Sequence, residues 1–419
     1  MKLNTAAMRY LSSDDFRVLT ATEMGSRNHE VVPTVLIAQI AALRGGSGVH
    51  NCISELAKAN LIARVKNAKY DGYRLTYGGY DFLAIRAFAN RGSVYAVGRQ
   101  IGVGKESDIH IVVGGDAAAS STKSTGDTPK APPKAASTSK RVLKIHRLGR
   151  TSFRSIKTNR DYLRNKHASS WMYMSRLSAT KEYAFMRALY NAGFPVPEPI
   201  DHSRHCIVMS LVPGFPMRQL TSHKKPSALY SALMSFIVRL ANHGIIHCDF
   251  NEFNIMILDT DNKIAIRRHH DESDATSDVR SSDTQEESTP FVVIDFPQCV
   301  SVDHADAERY FARDVDCIRR FFAKRLNYVA ADYPDFHRDV SRVAALDVDV
   351  QASGFSKAML KDFEAVLAQQ RERGIDHQVR SDSEVDDEDE DGDDEEDDED
   401  EGEEEDNDND DVDHLRPLR

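Results

Sequence analysis

Asp249, Asn254 and Asp295 are the residues in which this sequence concentrates its chemistry. The run GIIHCDFNEFNIMIL, Gly244 to Leu258, carries His247, Asp249 and Asn254 between a helical apolar stripe (Leu229, Leu233, Phe236, Ile237, Leu240) and a β-rich stretch. Further on, FVVIDFPQ places Asp295 at the end of a second apolar run. Moving a phosphoryl group needs a carboxylate at the attacking oxygen, worth about 10²–10⁴-fold as a general base, and oxygen ligands for a cation that bridges the phosphates. Asp249 suits the first task. Asn254 and Asp295 suit the second, and amide and carboxylate oxygens favour Mg²⁺.

Upstream lie the groups that would hold a nucleotide. SVYAVGRQIGVGKESDIHIVV, Ser93 to Val113, reads as strand, turn, strand, with Gly102, Gly104, Lys105 and Ser107 in the turn. A glycine pair lets backbone N–H groups approach phosphate oxygens without interference from a Cβ. Glu106 and a strand follow Lys105 where a Walker A loop would need Ser or Thr and a helix, so that motif is excluded. RVLKIHRLG sets Lys144 among alternating apolar residues, where an inward charge is costly unless an acid pairs with it. SRLSATKEYAFMRALYNAG reads as a helix with Leu177, Met186 and Leu189 periodic, Glu182 near its start and Gly193 as its stop. A strand lysine, a helix glutamate, an Asp and Asn five apart, and an Asp after a strand follow the order of a protein-kinase site.

The rest of the chain must position these groups. Its 419 residues carry a net charge of −12, but residues 382–413 hold 25 Asp and Glu, leaving 52 Lys and Arg against 41 acids in residues 1–381. The body before the tail is basic. Five widely spaced cysteines without a C-x-x-C pair suggest neither a disulfide framework nor a zinc site, and point to a reducing compartment. No apolar run approaches the ~20 residues of a membrane helix, and the N-terminus lacks a signal-peptide core. Residues 114–140, 267–290 and 381–419 are too polar to bury a core and are expected to be disordered, the first two as insertions within a folded unit.

Residues 1–91 have a different pattern. Val35, Leu36, Ile40 and Leu43 form a stripe closed by Gly45-Gly46, and Val49–Asn60 gives a second helix with Ile53, Leu56 and Ala57 on one side. The β-rich runs LIARV and GYRLT, joined by KNAKYDG, follow, and then the helical YGGYDFLAIRAFANRG. This is the outline of a winged helix. Two roles fit it equally: nucleic-acid binding through Val49–Asn60 with Lys66, Lys69 and Arg74, or protein docking, since Lys58 is the only base on that helix.

The Gly102–Ser107 turn, the HCDFNEFN loop, IDFPQ and the long run from Ser170 to Met209 together resemble the RIO family of atypical serine/threonine protein kinases. The winged helix points to its second subfamily, RIO kinase two. The resemblance covers about residues 1–330 apart from the insertions. It implies an α+β fold: a winged-helix domain (1–91), a two-lobed kinase-like RIO domain (92–330, N-lobe 92–208, C-lobe 213–330), a helical extension (331–380) and the acidic tail (381–419). It implies ATP and Mg²⁺ as cofactors, with Lys144 orienting phosphates, Asp249 catalytic, Asn254 and Asp295 on the metal, and Asp295 also a transient phosphoryl acceptor. The turn residues Gly102, Gly104, Lys105 and Ser107 with Glu182 complete the ATP site, and Met209 to Val212 form the hinge beside adenine. Cys248 stands where the family usually has Gly, and Pro297 where a D-F-G motif has Gly. No A-P-E motif follows, and the helical stretches His304–Leu326 and Ser356–Gly374 leave little chain for a peptide platform.

The implied role is late maturation of the small ribosomal subunit, with ribosomal RNA and ribosomal proteins of the precursor particle as partners. The implied protein is a monomer without membrane contact, cytoplasmic and shuttling through the nucleus. A rival of another class is an ATP-binding assembly placeholder whose chemistry is dispensable. Arg147, Arg150, Arg154, Lys157, Arg160, Arg164 and Lys166, set against the single acid Asp161, form a candidate RNA contact. His202, His205 and Cys206 superficially resemble metal ligands, but without a second pair at zinc spacing they read as ordinary core or surface residues.

Overall fold

A capping box starts the first helix: Ser12 Oγ accepts the Asp15 N–H at 3.2 Å while the Asp15 carboxylate accepts the Ser12 N–H at 2.8 Å. This helix, α1 (Ser13–Gly25), is missing from the two-helix outline above, because its polar positions leave only a weak apolar periodicity. The computed structural model describes residues 3, 7–43, 46–65, 72–104, 106–115, 138–148, 171–258 and 291–352.

The winged helix continues with β1 (Val32–Pro33), α2 (Thr34–Ala41), α3 (Gly46–Lys58), β2 (Ile62–Arg64), β3 (Gly72–Leu75) and α4 (Tyr77–Arg91). Its three strands lie in the order β1-β3-β2. Two details of the expected stripes change. In α2 the buried residues are Ile37 and Ala41 whereas Val35 faces solvent, and the helix stops at Ala42 in the left-handed region, ahead of the glycines. In α3 the inward face is Val49, Ile53 and Leu56, and Ala57 is exposed. Of the wing bases, Arg74 lies on β3; Lys66 and Lys69 fall outside the described residues.

A five-stranded antiparallel sheet follows, built from β4 (Ala96–Val103), β5 (Ser107–Gly115), β6 (Thr138–His146), β7 (Pro199–Ser203) and β8 (Cys206–Ser210), with α5 (Trp171–Asn191) between β6 and β7. The strand order is β4-β5-β6-β8-β7. The first insertion is shorter than expected at both ends, since Gly114 pairs with Ser139 and Gly115 with Thr138; residues 116–137 lie outside the described residues. Successive side chains alternate across a strand. On β6, Leu143 and Ile145 therefore join Ala84, Ile85 and Phe88 of α4 in one core, while Lys144 and His146 face α5.

The second lobe contains β9 (Gly214–Pro216), α6 (Pro226–Asn242), β10 (Ile245–Ile246), β11 (Ile255–Leu258), β12 (Phe291–Val293), β13 (Val300–Ser301) and α7 (Ala307–Leu326). The strands form the sets β12-β11-β9 and β10-β13. The expected stripe of α6, Leu229, Leu233, Phe236, Ile237 and Leu240, is buried in the largest core, together with Tyr310, Phe311, Ile318 and Phe322 of α7. The chain then makes α8 (Phe336–Asp339) and α9 (Leu346–Ala352). The expected helix at Ser356–Gly374, residues 259–290 and the acidic tail lie outside the described residues. All five cysteines are free thiols, and no described helix is long and apolar enough to cross a membrane.

Candidate active site

Strand parity delivers Lys144 to the site. Flanked in the sheet by Ile109 and Ile207, its ammonium donates to Glu182 Oε1 of α5 and to Asp295 Oδ1, each at 2.8 Å. The acidic partner that the sequence demands is thus present twice. Burial pulls the Lys144 ammonium down, but Asp295 and Glu182 outweigh it and hold it above its usual range. Burial likewise pushes Glu182 up, yet Lys144 and His146 prevail and hold its carboxyl down at about 2. His146, two residues along the same face of β6, lies 3.0 Å from the second Glu182 oxygen, and Ser178 Oγ meets its other ring nitrogen at 3.1 Å.

Asp249 and Asn254 sit in the loop between β10 and β11. Asn251 Nδ2 donates to Asp249 Oδ1 at 2.7 Å, while Asn254 Nδ2 donates to Asp249 Oδ2 at 2.8 Å and to its backbone oxygen at 2.9 Å. Both Asn254 amide protons are thereby committed to Asp249, which leaves its amide oxygen as the group able to face a cation. Burial, then the charges of Asp295 and Asp314, push Asp249 up to about 7, against the pull of Arg313 and Asn254. A carboxyl poised there exchanges a proton near neutrality. His247 is enclosed between Phe250 and Phe296 at ring distances of 5.6 and 5.3 Å, and burial drops it to about 4, a neutral packing residue.

The loop is held from below. Cys248 adopts φ 66°, in the left-handed region that costs a residue with a Cβ roughly 1–2 kcal/mol. Asp314 of α7, 1% exposed, accepts the N–H groups of Cys248 and Phe250 at 2.9 and 3.1 Å. Arg313 donates to the Cys248 carbonyl. Asp295 is also left-handed, with φ 72°, and the neighbouring Ile294 N–H donates to Asn254 O at 2.9 Å, joining the two metal-ligand candidates through the backbone.

Among the described residues no group of three or more His, Cys, Asp or Glu could by itself hold a metal ion. Asn254 and Asp295 supply hard oxygens for only part of a shell, which fits a cation completed by phosphate oxygens and water. At the turn, Gly104 N–H donates to Ser107 O at 2.7 Å. Neither Gly102 nor Gly104 has a positive φ, and a Cβ on either would meet only ordinary contacts of 3.4–3.5 Å. The fold itself therefore does not require glycine there. Lys105 lies outside the described residues. Met209, buried, is the penultimate residue of β8 and packs against the second lobe's core, and Val212 follows in the link to β9.

One predicted residue is misplaced. Arg147 is not an RNA contact: it is buried, with its guanidinium paired to Asp81 and Asp108 at 2.6 and 3.0 Å. It belongs to the inward face of the same β-rich run, which composition alone could not reveal. Arg150, Arg154, Lys157, Arg160, Arg164 and Lys166 lie outside the described residues. His202 stacks on Tyr183 at 5.5 Å and His205 meets Asp81 at 2.8 Å, so neither gathers with Cys206 around a metal.

Comparison with known proteins matches the "Rio2, N-terminal" family model to residues 8–91 and the "RIO domain" model to residues 130–267 and 285–336. The Saccharomyces cerevisiae serine/threonine-protein kinase RIO2 is 52% identical over 375 residues, covering 85% of this chain and 78% of that protein. The Schizosaccharomyces pombe serine/threonine-protein kinase rio2 is 50% identical, covering 87% and 92%. Among solved structures, the Rio2 kinase–ADP/Mg²⁺–phosphoaspartate complex from Chaetomium thermophilum is similar with a TM-score of 0.69 and 51% identity, over 89% of this chain and 100% of that one.

Proposed function

Because the chain belongs to the RIO2 family of serine/threonine-protein kinases, we propose that it binds ATP with Mg²⁺ in the cleft between its two lobes and transfers or hydrolyses the γ-phosphoryl group. One observation carries this reading: Lys144 Nζ lies 2.8 Å from both Glu182 of the first lobe and Asp295 of the second. A cation able to orient phosphates thus stands where both lobes meet. Bound Mg²⁺ would neutralise phosphate charge, held by Asn254 and Asp295.

The chain's own groups then have distinct tasks. Lys144, kept protonated, orients the phosphates, and Glu182 keeps it in place. The turn containing Gly102, Gly104, Lys105 and Ser107 covers the triphosphate, where glycine allows close approach. Met209 to Val212 lie against adenine. In the hydrolytic cycle an Asp295 carboxylate oxygen bonds to the γ-phosphorus as the bond to the β–γ bridging oxygen breaks, and ADP leaves with that electron pair. Water then attacks the aspartyl phosphate, Asp249 takes its proton, and the bond to Asp295 breaks to release phosphate. Supporting this order, the Chaetomium thermophilum relative is described as a phosphoaspartate complex.

The partner we propose is the precursor of the small ribosomal subunit, with nucleotide turnover controlling release from it late in maturation, in a cytoplasmic protein that shuttles through the nucleus. The basic body, 52 Lys and Arg against 41 acids in residues 1–381, supports a nucleic-acid partner. Hydrolysis of labelled ATP by the wild type, Asp249→Ala and Asp295→Ala tests the chemistry. Loss of turnover in both variants is expected; equal turnover in all three overturns the site. If none turns over while all bind ATP, the chain is an assembly placeholder.

A further inference from the structure

Arg147 follows the strand that carries Lys144 but faces the opposite way. Lys144 and His146 look toward α5; Leu143, Ile145 and Arg147 look toward the winged helix. There the guanidinium makes a bidentate pair with Asp81 of α4, Nη1 to Oδ1 at 2.8 Å and Nη2 to Oδ2 at 2.6 Å. Its Nε donates to Asp108 Oδ2 at 3.0 Å. His205 closes the group on Asp81, and all four side chains are buried. Asp108 directly follows Ser107, and the Arg147 backbone N–H donates to Glu106 O at 2.5 Å. One arginine therefore grips the winged helix with its fork and the descending limb of the glycine turn with its remaining donors.

We propose that Asp81 is a positioning residue for nucleotide binding: acting through Arg147, the winged-helix domain holds residues 106–108 at the end of the Lys144 strand and so sets where the glycine turn lies over the phosphates. The inference rests on the reading of that turn as the phosphate cover. A planar fork in two parallel hydrogen bonds is fixed in direction as well as distance. Without it, Arg147 keeps the charge of Asp108 for company but loses its orientation, and Asp108, whose other oxygen accepts from Gln100 Nε2 at 3.2 Å, is left tied to the strands flanking the turn and not to the winged helix. A second contact between the same domains supplies a control. Glu23 of α1 forks onto Arg204 at 2.8 and 2.6 Å in the turn between β7 and β8, and the other hydrogen bonds of Arg204 go to Leu83 O and Ser203 Oγ, away from the described residues of the glycine turn.

The experiment measures the affinity of the full chain for Mg²⁺-ATP and for adenosine in the wild type, Asp81→Asn, Asp108→Asn and Glu23→Gln. Asp81→Asn and Asp108→Asn should lose about tenfold in ATP affinity and keep that for adenosine within about twofold, because the turn meets phosphates and not the base. Glu23→Gln should change neither. Asp108→Asn leaves the Asp81–Arg147 fork intact and decides the matter alone if Asp81→Asn does not fold. The inference is overturned if the folded variants bind ATP like the wild type, if ATP and adenosine weaken together, or if Glu23→Gln loses as much ATP affinity. A wild type that binds no ATP would bring down the reading of the turn as well; unaffected variants of a binding wild type bring down this inference alone.

Discussion

Asp314 accepts the backbone N–H of Cys248 at 2.9 Å, reaching it from the middle of a helix 66 residues further along the chain. With its other oxygen on Phe250 N–H, the carboxylate offsets the cost of the left-handed turn that aims Asp249 at the cleft. Asp314→Ala leaves two buried donors unmade, at about 1–3 kcal/mol each. Urea unfolding should show that loss, and kcat should drop while ATP affinity holds, because the nucleotide groups lie elsewhere. Asp314→Asn, able to accept one bond, should fall between. A variant with wild-type kcat would show that the loop needs no such support.

Asp249 holds its proton to about pH 7, whereas in an unfolded chain it ionises near the ordinary 3.8. In the proposed role of general base it works deprotonated, so kcat/KM should fall as pH drops through about 7. The same shift acts on stability with a definite sign: between pH 3.8 and 7 the folded state binds more protons than the unfolded, so this group destabilises progressively as pH rises. Asp249→Asn should accordingly lower kcat by about 10²–10⁴ yet raise Tm at pH 8. A profile flat from pH 6 to 8, paired with an unchanged Tm, would remove Asp249 from the role of base.

Glu182 shows the opposite sign. Its folded value of about 2 lies below the ordinary 4.5, so its contribution is complete above pH 4.5 and is lost as pH falls toward 2. Lys144→Met removes the principal reason for that depression and leaves a buried carboxylate beside His146. Breaking a buried pair in this way costs about 3–5 kcal/mol. The double variant Lys144→Met/Glu182→Gln should recover much of the stability and none of the activity. Chemical denaturation at pH 7 checks the first statement and ATP turnover the second; a single variant as stable as the wild type would contradict the electrostatic account.

The order of Lys144, Glu182, Asp249, Asn254 and Asp295 could be read from the sequence because each sits beside a motif or in an apolar run where its charge is conspicuous. The same argument reaches Asp314, which occupies the stripe of Phe311, Val315 and Ile318 where an acid must have a partner; what the sequence does not show is that partner, because it is a pair of backbone N–H groups with no sequence signature. Arg147 failed for a different reason. By composition it groups with the bases that follow it, yet strand alternation continues one residue past β6 and turns it inward to Asp81, an acid in a helix whose pairing depends on how two domains dock. In the winged helix, α1 went unread because tertiary packing and a capping box, not apolar periodicity, hold it in place.

The acidic tail should compete with RNA for the basic body. Residues 382–413 carry 25 acids and no Lys or Arg, enough to offset the excess of 52 bases over 41 acids in residues 1–381. A tethered polyanion acts at high effective concentration, and its hold, like that of nucleic acid, weakens as salt screens charge. Deleting residues 382–419 should therefore strengthen binding of a ribosomal RNA fragment at low salt, with the gain shrinking as ionic strength rises toward 0.5 M, near which the Debye length is only about 4 Å. Arg147→Ala in the same assay should lower stability and leave the salt slope unchanged, since a buried guanidinium releases no counterion. Equal affinity of the full and shortened chains at every salt concentration would mean that the tail does not compete for RNA.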